Sequence, residues 1–280
     1  MKKYAMVVLS VALLAGVLQA TPMLSRGASV LRPLHFIGYA AIGYSRTTSS
    51  YDWTNNGYEG LADSLKTGSV SAQVMAGMSP LSNLEVLLMA PVVFKDKGDL
   101  SSAGLGDAWL LARYGLLNSG LLPVRLTLAA ALALPTSAQD AAVKLADHTT
   151  DIGLGLAAQT VKIGPLAGHF RAAYWFKGKS NDTTRLGNVF EYVVFPDFSL
   201  GKKASFFVTL SGTVKANQVI NGESKLNTES LAQYVGAGFT WNPIGPLWLK
   251  PKAALPVTAL SKGGSLPGFS AGLDVWATLP

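Results

Sequence analysis

The chain contains no cysteine in 280 residues. That rules out a disulfide framework, a thiolate metal site and a lipid-bearing cysteine behind an export signal. Charge is also scarce: 14% of residues are charged and 49% are hydrophobic, where a soluble domain carries about a quarter charged. Long apolar runs are missing as well. Beyond the N-terminal segment no stretch of roughly 18 apolar residues lacks a Gly, Pro or charge, so helical membrane spans are not expected. Histidine is limited to His35, His148 and His169. There is no Gly-x-Ser-x-Gly elbow, His-Glu-x-x-His, calcium loop or Walker motif. The expectation is therefore a protein that is not an enzyme, with no catalytic residue, metal or cofactor.

What is present begins with MKKYAMVVLSVALLAGVLQA. Two lysines, an apolar stretch and a small residue at Ala20 follow the order of a secretory signal peptide, so residues 1–20 are expected to be removed on export. The segment 21–34 shows no strand pattern and reads as a periplasmic leader or a lumen plug. The 23 basic residues outnumber the 16 acidic ones. In an exported chain that excess fits loops facing an anionic membrane surface, not nucleic acid.

From residue 35 onward the apolar pattern repeats every second residue, as strands do. In 84–94 one parity carries Leu84, Val86, Leu88, Ala90, Val92 and Phe94, while the other starts at Glu85. In 124–134 Val124, Leu126, Leu128, Ala130, Leu132 and Leu134 alternate with Arg125, Thr127 and alanines. Similar runs fall at 35–46, 68–78, 105–117, 150–162, 165–177, 188–198, 202–216, 231–241, 246–257 and 268–278. That makes about twelve, each near the 9 to 11 residues a tilted strand needs to cross a bilayer. Short turns at 80–83, 118–122, 163–165, 196–201 and 242–245 alternate with longer polar connections at 47–67, 95–103, 136–149, 178–187, 217–229 and 258–267. This rhythm predicts an all-β, antiparallel up-and-down transmembrane β-barrel over 35–280, with short turns on the periplasmic side. Pro91, Pro251 and Pro256 interrupt the runs and are expected at bulges or strand ends.

Lipid excludes unpaired backbone groups, so the sheet must close, and about twelve strands leave an interior wider than eight do. Tyr114, Phe170, Tyr174, Phe176, Phe190, Tyr192, Phe206 and Phe239 share the expected lipid-facing parity. The opposite parity, the expected solute path, collects Glu85, Asp107, Trp109, Arg113, Arg125, Asp151, His169, Arg171, Trp175, Glu191, Lys215, Lys250, Lys252 and Asp274, together with Trp248 and Trp276. Symmetric hairpins would bring Asp274 beside Lys250 and Lys252, and Glu85 toward Arg113 and Arg125.

The stretch GLGDAWLLARYGLL at 104–117 has the first two glycines of a phosphate-binding turn, but Trp109 stands where the third belongs. With the following Leu134-Pro135-Thr136 and TDIGLGLA at 150–157, it resembles instead a family of bacterial outer-membrane proteins associated with the meta-pathway of phenol degradation. Gly104, Leu105, Gly106, Asp107, Leu110, Arg113 and Tyr114 carry the first part of that likeness; Ser137 departs from the family's glycine. The resemblance covers roughly 104–160. It implies an outer-membrane transporter of small, often aromatic or hydrophobic compounds, whose partners are outer-membrane lipid and lipopolysaccharide, a small solute and the barrel-insertion machinery. Two other readings stay open: an adhesion or structural barrel with a closed lumen, and a barrel enzyme such as a phospholipase.

Overall fold

The computed structural model describes residues 27–117 and 123–280. The predicted signal peptide, the leader up to residue 26 and the predicted turn at 118–122 lie outside the described residues. Twelve strands form the wall: β1 Phe36–Asp52, β2 Thr67–Leu81, β3 Leu84–Lys97, β4 Ala108–Leu117, β5 Val124–Leu134, β6 Asp151–Thr160, β7 Leu166–Phe176, β8 Val189–Ser199, β9 Ala204–Lys215, β10 Ser230–Ile244, β11 Leu247–Pro256 and β12 Ser265–Leu279. Each pairs antiparallel with its neighbour in sequence, and β12 returns to β1 from Leu279 opposite Phe36 to Ser265 opposite Ser50. Closure leaves the sheet no edge, which is what a wall in hydrocarbon requires. No helix among the described residues is long and apolar enough to cross a membrane.

The alternation in sequence becomes two surfaces. Along β3, Glu85, Leu87, Met89 and Val93 are buried while Val86, Leu88, Val92 and Phe94 are exposed. The outward parity continues around the barrel through Leu110, Tyr114, Leu154, Phe170, Phe190 and Phe206, all exposed. In water such a continuous apolar belt would drive aggregation; lipid is the medium that covers it.

Proline marks the irregular points of the wall. The ladder of β3 to the next strand breaks between Met89 and Val92, around Pro91. The β8–β9 pairing skips from Val194 to Asp197, around Pro196, and the β10–β11 pairing lapses between Lys252 and Leu249, around Pro251. Pro256 is the last residue of β11. A residue with no N–H sits where the partner strand asks for none.

Three predicted connections turn out differently. The expected connection 95–103 is mostly sheet: β3 runs on to Lys97, Leu100–Leu105 folds back on it as a hairpin strand, and β4 starts only at Ala108, later than the expected start at 105. The Pro91 break causes this, and the Gly106 N–H is satisfied by the Pro91 carbonyl at 2.9 Å. The expected loop 47–67 is largely sheet, because β1 runs on to Asp52 and pairs with Gly57–Gly60, Tyr51 opposite Tyr58. In 217–229 the strands Gln218–Ile220 and Glu223–Lys225 join Thr184–Arg185 in a small sheet of their own.

The barrel lumen as candidate functional site

At the end that carries the short turns, β3 and β4 place Glu85 and Arg113 side by side in register. They are 0% and 1% exposed and form an ion pair. Two charges so far from water persist only when paired and hydrogen-bonded. The remaining capacity is used by the chain ahead of β1: Leu31 N–H donates to Glu85 Oε1 at 2.7 Å, Arg113 donates to the Gly27 carbonyl, and Thr127 Oγ1 donates to the Ala28 carbonyl at 2.6 Å. Residues 27–31 therefore lie against the inner wall. Arg125, expected near Glu85, reaches Ser29 Oγ at 3.1 Å instead, because the segment 27–31 intervenes.

Above this lies a packed apolar layer. Tyr39, Met75, Leu87, Met89, Leu111 and Trp175 form its buried core, with Leu31, Trp109 and Trp276 packed against it. Trp109 meets Trp175 edge to face at 4.8 Å. Trp175 can lie flat there only because Gly153 faces it on β6; a Cβ at 153 would stand 2.5 Å from the ring. Trp175 Nε1 donates to Glu191 at 3.4 Å.

At the other end the segment 135–150 folds inward and roofs a cavity of about 360 Å³, lined by Lys95, Asp107, Trp109, Asp147, Trp175 and Lys177 among others. Val143 and Leu145 are buried beneath it, and Lys95 Nζ donates to the Lys144 carbonyl at 3.0 Å. Asp107 ties the segment down. Its Oδ1 accepts from Ser137 Oγ at 2.7 Å and its Oδ2 from the His148 N–H at 2.9 Å. Lys177, one residue past β7, bridges Asp147 at 2.9 Å and Asp151. Partial burial works against the Asp147 carboxylate, but Lys177, Lys144 and Lys215 outweigh it and hold its pKa below the usual value. Burial likewise disfavours the Lys177 cation, but Asp147 and Asp151 prevail and raise its pKa.

Ser137, His148 and Asp107 are the residue types of a nucleophile relay, which requires the carboxylate to orient the imidazole and the imidazole to activate the serine. They are wired only in part this way: Ser137 Oγ comes within 3.4 Å of His148 Nδ1, but Asp107 accepts from the serine hydroxyl and from the backbone N–H of His148, and Nδ1 also faces the Ser137 carbonyl, so Asp107 does not orient the imidazole. The arrangement anchors a loop. Among the described residues no group of three or more His, Asp or Glu is placed to hold a metal ion.

A second cavity of about 200 Å³ lies nearer the turns, and Arg171, Lys250, His169, Phe195, Phe207 and Asp274 are among its lining. Lys252 bonds Asp274 at 2.8 Å, and Trp248 stacks on Trp276 at 6.0 Å. The two cavities share no lining residue. The residues expected along the lumen thus fall into groups: Glu85, Arg113 and Arg125 bind the 27–31 segment; Trp109, Trp175 and Glu191 sit at the middle layer; Asp107, Asp151 and Lys215 stand toward the roof; His169, Arg171, Lys250, Lys252 and Asp274 cluster around the lower cavity. Phe195, Phe207, Lys95 and Lys177 were missed, although Phe195 shares parity with Glu191 and stands opposite His169 in the register. Parity alone could have found it.

No family model matches the chain, and no curated protein matches it in sequence. Solved structures do match in shape. An outer-membrane channel of Pseudomonas putida F1 superposes with a TM-score of 0.76 over 90% of this chain and 98% of that one, at 16% identity. The NanC porin does so at 0.52 over 86% and 100%, with 11% identity. The CymD monoaromatic hydrocarbon channel follows at 0.50 over 95% and 94%, with 9% identity. At such identities the likeness is one of fold: the chain is a closed twelve-stranded antiparallel barrel of the outer-membrane type. The resemblance to phenol-degradation proteins at 104–160 has no matching family model behind it.

Proposed function

We propose that the protein is a channel of the bacterial outer membrane that passes small solutes, aromatic or otherwise hydrophobic ones included, by passive diffusion through a charged lumen. The observation that carries this reading is the lumen itself: an upper and a lower cavity, each lined by charged and aromatic side chains, inside a wall whose outer face is apolar. A purely structural barrel has no need of buried Lys, Arg and Asp around unfilled space. The fold shared with an outer-membrane channel and with a channel for monoaromatic hydrocarbons supports the same conclusion. Residues 27–31 and the inward segment 135–150 then narrow the two ends of the lumen, on either side of the apolar layer around Trp109 and Trp175.

A closed structural barrel is the second reading, favoured by the apolar layer between the cavities. Recordings in planar bilayers decide between them. A channel gives discrete conductance steps in potassium chloride and admits a small aromatic solute into liposomes; a barrel silent in both assays would be structural.

A further inference from the structure

The lower cavity has a composition that a neutral passage does not require. Arg171 and Lys250 both point their charges at aromatic faces: the Arg171 guanidinium stands 4.9 Å from the Phe195 centroid, and Lys250 Nζ stands 5.2 Å from Phe195 and 4.5 Å from Phe207. His169 lies flat on Phe195 at 4.4 Å, the planes 5° apart. Lys250 is opposite Asp274 in the ladder, yet Asp274 is engaged by Lys252, and Lys250 Nζ has no hydrogen-bond acceptor among the described residues. Neither ring nitrogen of His169 has a hydrogen-bond partner, and its Nε2 is 3.8 Å from Asp197, too far for one. Lys250 Nζ and the His169 ring nitrogens are thus polar groups beside the cavity with no hydrogen-bond partner among the described residues. Among the described residues Arg171, Lys250 and Lys252 share this end of the lumen with Asp197 and Asp274.

We propose that this cavity is a binding site for a small aromatic monocarboxylate. The carboxylate would accept from Lys250 and His169, with the Arg171 guanidinium adding its charge nearby, and the ring would lie against the edges of Phe195 and Phe207, whose faces the cations and His169 occupy. A cationic solute is disfavoured because the protein's own cations already hold the ring faces. A dianion is disfavoured because Asp197 Oδ1 and Asp274 Oδ1, both buried without a hydrogen-bond partner, oppose a second negative charge. The volume, about 200 Å³, is that of several waters at about 30 Å³ each, which suits a single ring. Three local features build the site. The β8–β9 ladder lapses at Pro196 beside Phe195, and the β10–β11 ladder lapses at Pro251 beside Lys250. Gly238 then lets the Phe207 ring lie over its backbone, where a Cβ would come within 2.2 Å.

This assignment rests on the reading of the barrel as a channel, since the solute reaches the cavity through the lumen. The test separates the two. Titration calorimetry on the full mature chain in detergent, with sodium benzoate, benzyl alcohol and sodium terephthalate as probes, measures the site without conduction. Benzoate should bind saturably, and the neutral alcohol and the dianion should bind roughly tenfold or more weakly, as loss of a charge-assisted contact implies. Lys250→Gln should weaken benzoate to a similar degree, Lys250→Arg should recover most of it, and Lys203→Gln, on an exposed turn, should change nothing. Equal binding of benzoate and benzyl alcohol by the unaltered protein overturns the proposal even if every Lys250 variant fails to fold. Benzoate binding unaffected in folded Lys250→Gln overturns it too. If bilayers show no conductance while benzoate still binds, the channel reading fails and the site stands; conductance with no benzoate binding reverses that outcome.

Discussion

Glu85 and Arg113 show how a single pair of residues fixes one end of the lumen. Neither carries its charge in contact with water, so each depends on the other and on the backbone of residues 27–31. Removing one partner strands the other, a loss of about 3–5 kcal/mol, whereas replacing both with apolar residues of similar size is far milder. Glu85→Leu and Arg113→Met should each lower the temperature at which the compact barrel loses its fast gel mobility, and the double variant should lose less than either alone. Additive losses would mean that the two side chains act independently. The Lys177 contacts at the roof give a pH dependence whose sign follows from the shifts. The lowered Asp147 pKa stabilises the folded loop above 3.8, its ordinary value, and that contribution is lost as pH falls through the lower folded value. The raised Lys177 pKa stabilises below 10.5, and is lost as pH rises through the folded value above it. Protease cleavage within 135–150 should therefore stay slow across the range between and quicken at both extremes. Lys177→Met should flatten the alkaline limb.

At the scale of strands, the wall depends on small residues as much as on large ones. Tyr192 on β8 reaches across Gly212 on β9 to give its hydroxyl to Gln233 on β10 at 2.6 Å, and a Cβ at 212 would stand 2.7 Å from the tyrosine ring. Gly212→Val should thus cost about 1–3 kcal/mol through overpacking and break a hydrogen bond on the outer face; Tyr192→Phe, which keeps the ring, should cost less. Thermal shifts of gel mobility for the two variants test the order. The same strands explain what could be read beforehand. A wall between lipid and lumen writes its two faces into alternate residues, so all twelve strands and the burial parity of Asp107, Arg113 and Asp274 were legible. Beyond the lipid-facing wall that contrast disappears: Tyr51 and Tyr58 pair in a hairpin whose residues are half-buried without alternation, Tyr51 packing on both Tyr58 and Trp53, and the extension of β1 to Asp52 left no pattern to find. Contacts between distant segments were equally hidden. Asp107 meets Ser137 across 30 residues of sequence, and no local period encodes such a meeting. The segment 27–31 carries no charge at all, so nothing in its sequence announces that Glu85 and Arg113 would bind its backbone.

At the scale of the whole molecule, a solute path would run through the upper and lower cavities, past the layer around Trp109 and Trp175 and the segments 27–31 and 135–150. Resistances in series add, so the tightest point sets the conductance and relieving any other changes little. In the packed layer buried side chains from β1, β2, β3, β4, β5 and β7 meet. The roof is held mainly by hydrogen bonds and ion pairs, contacts that open more readily than a packed core. Trp175→Ala should therefore raise unitary conductance clearly, and shortening the loop within 138–146 should raise it little on its own but strongly once Trp175 is gone. Because truncating a buried tryptophan costs about 3–5 kcal/mol, heat-modifiable gel mobility must first show that the variant barrel is closed. The opposite order, with a large gain from the shortened loop and none from Trp175→Ala, would move the limiting constriction to the roof and make Asp107, rather than the tryptophan pair, the residue that governs passage.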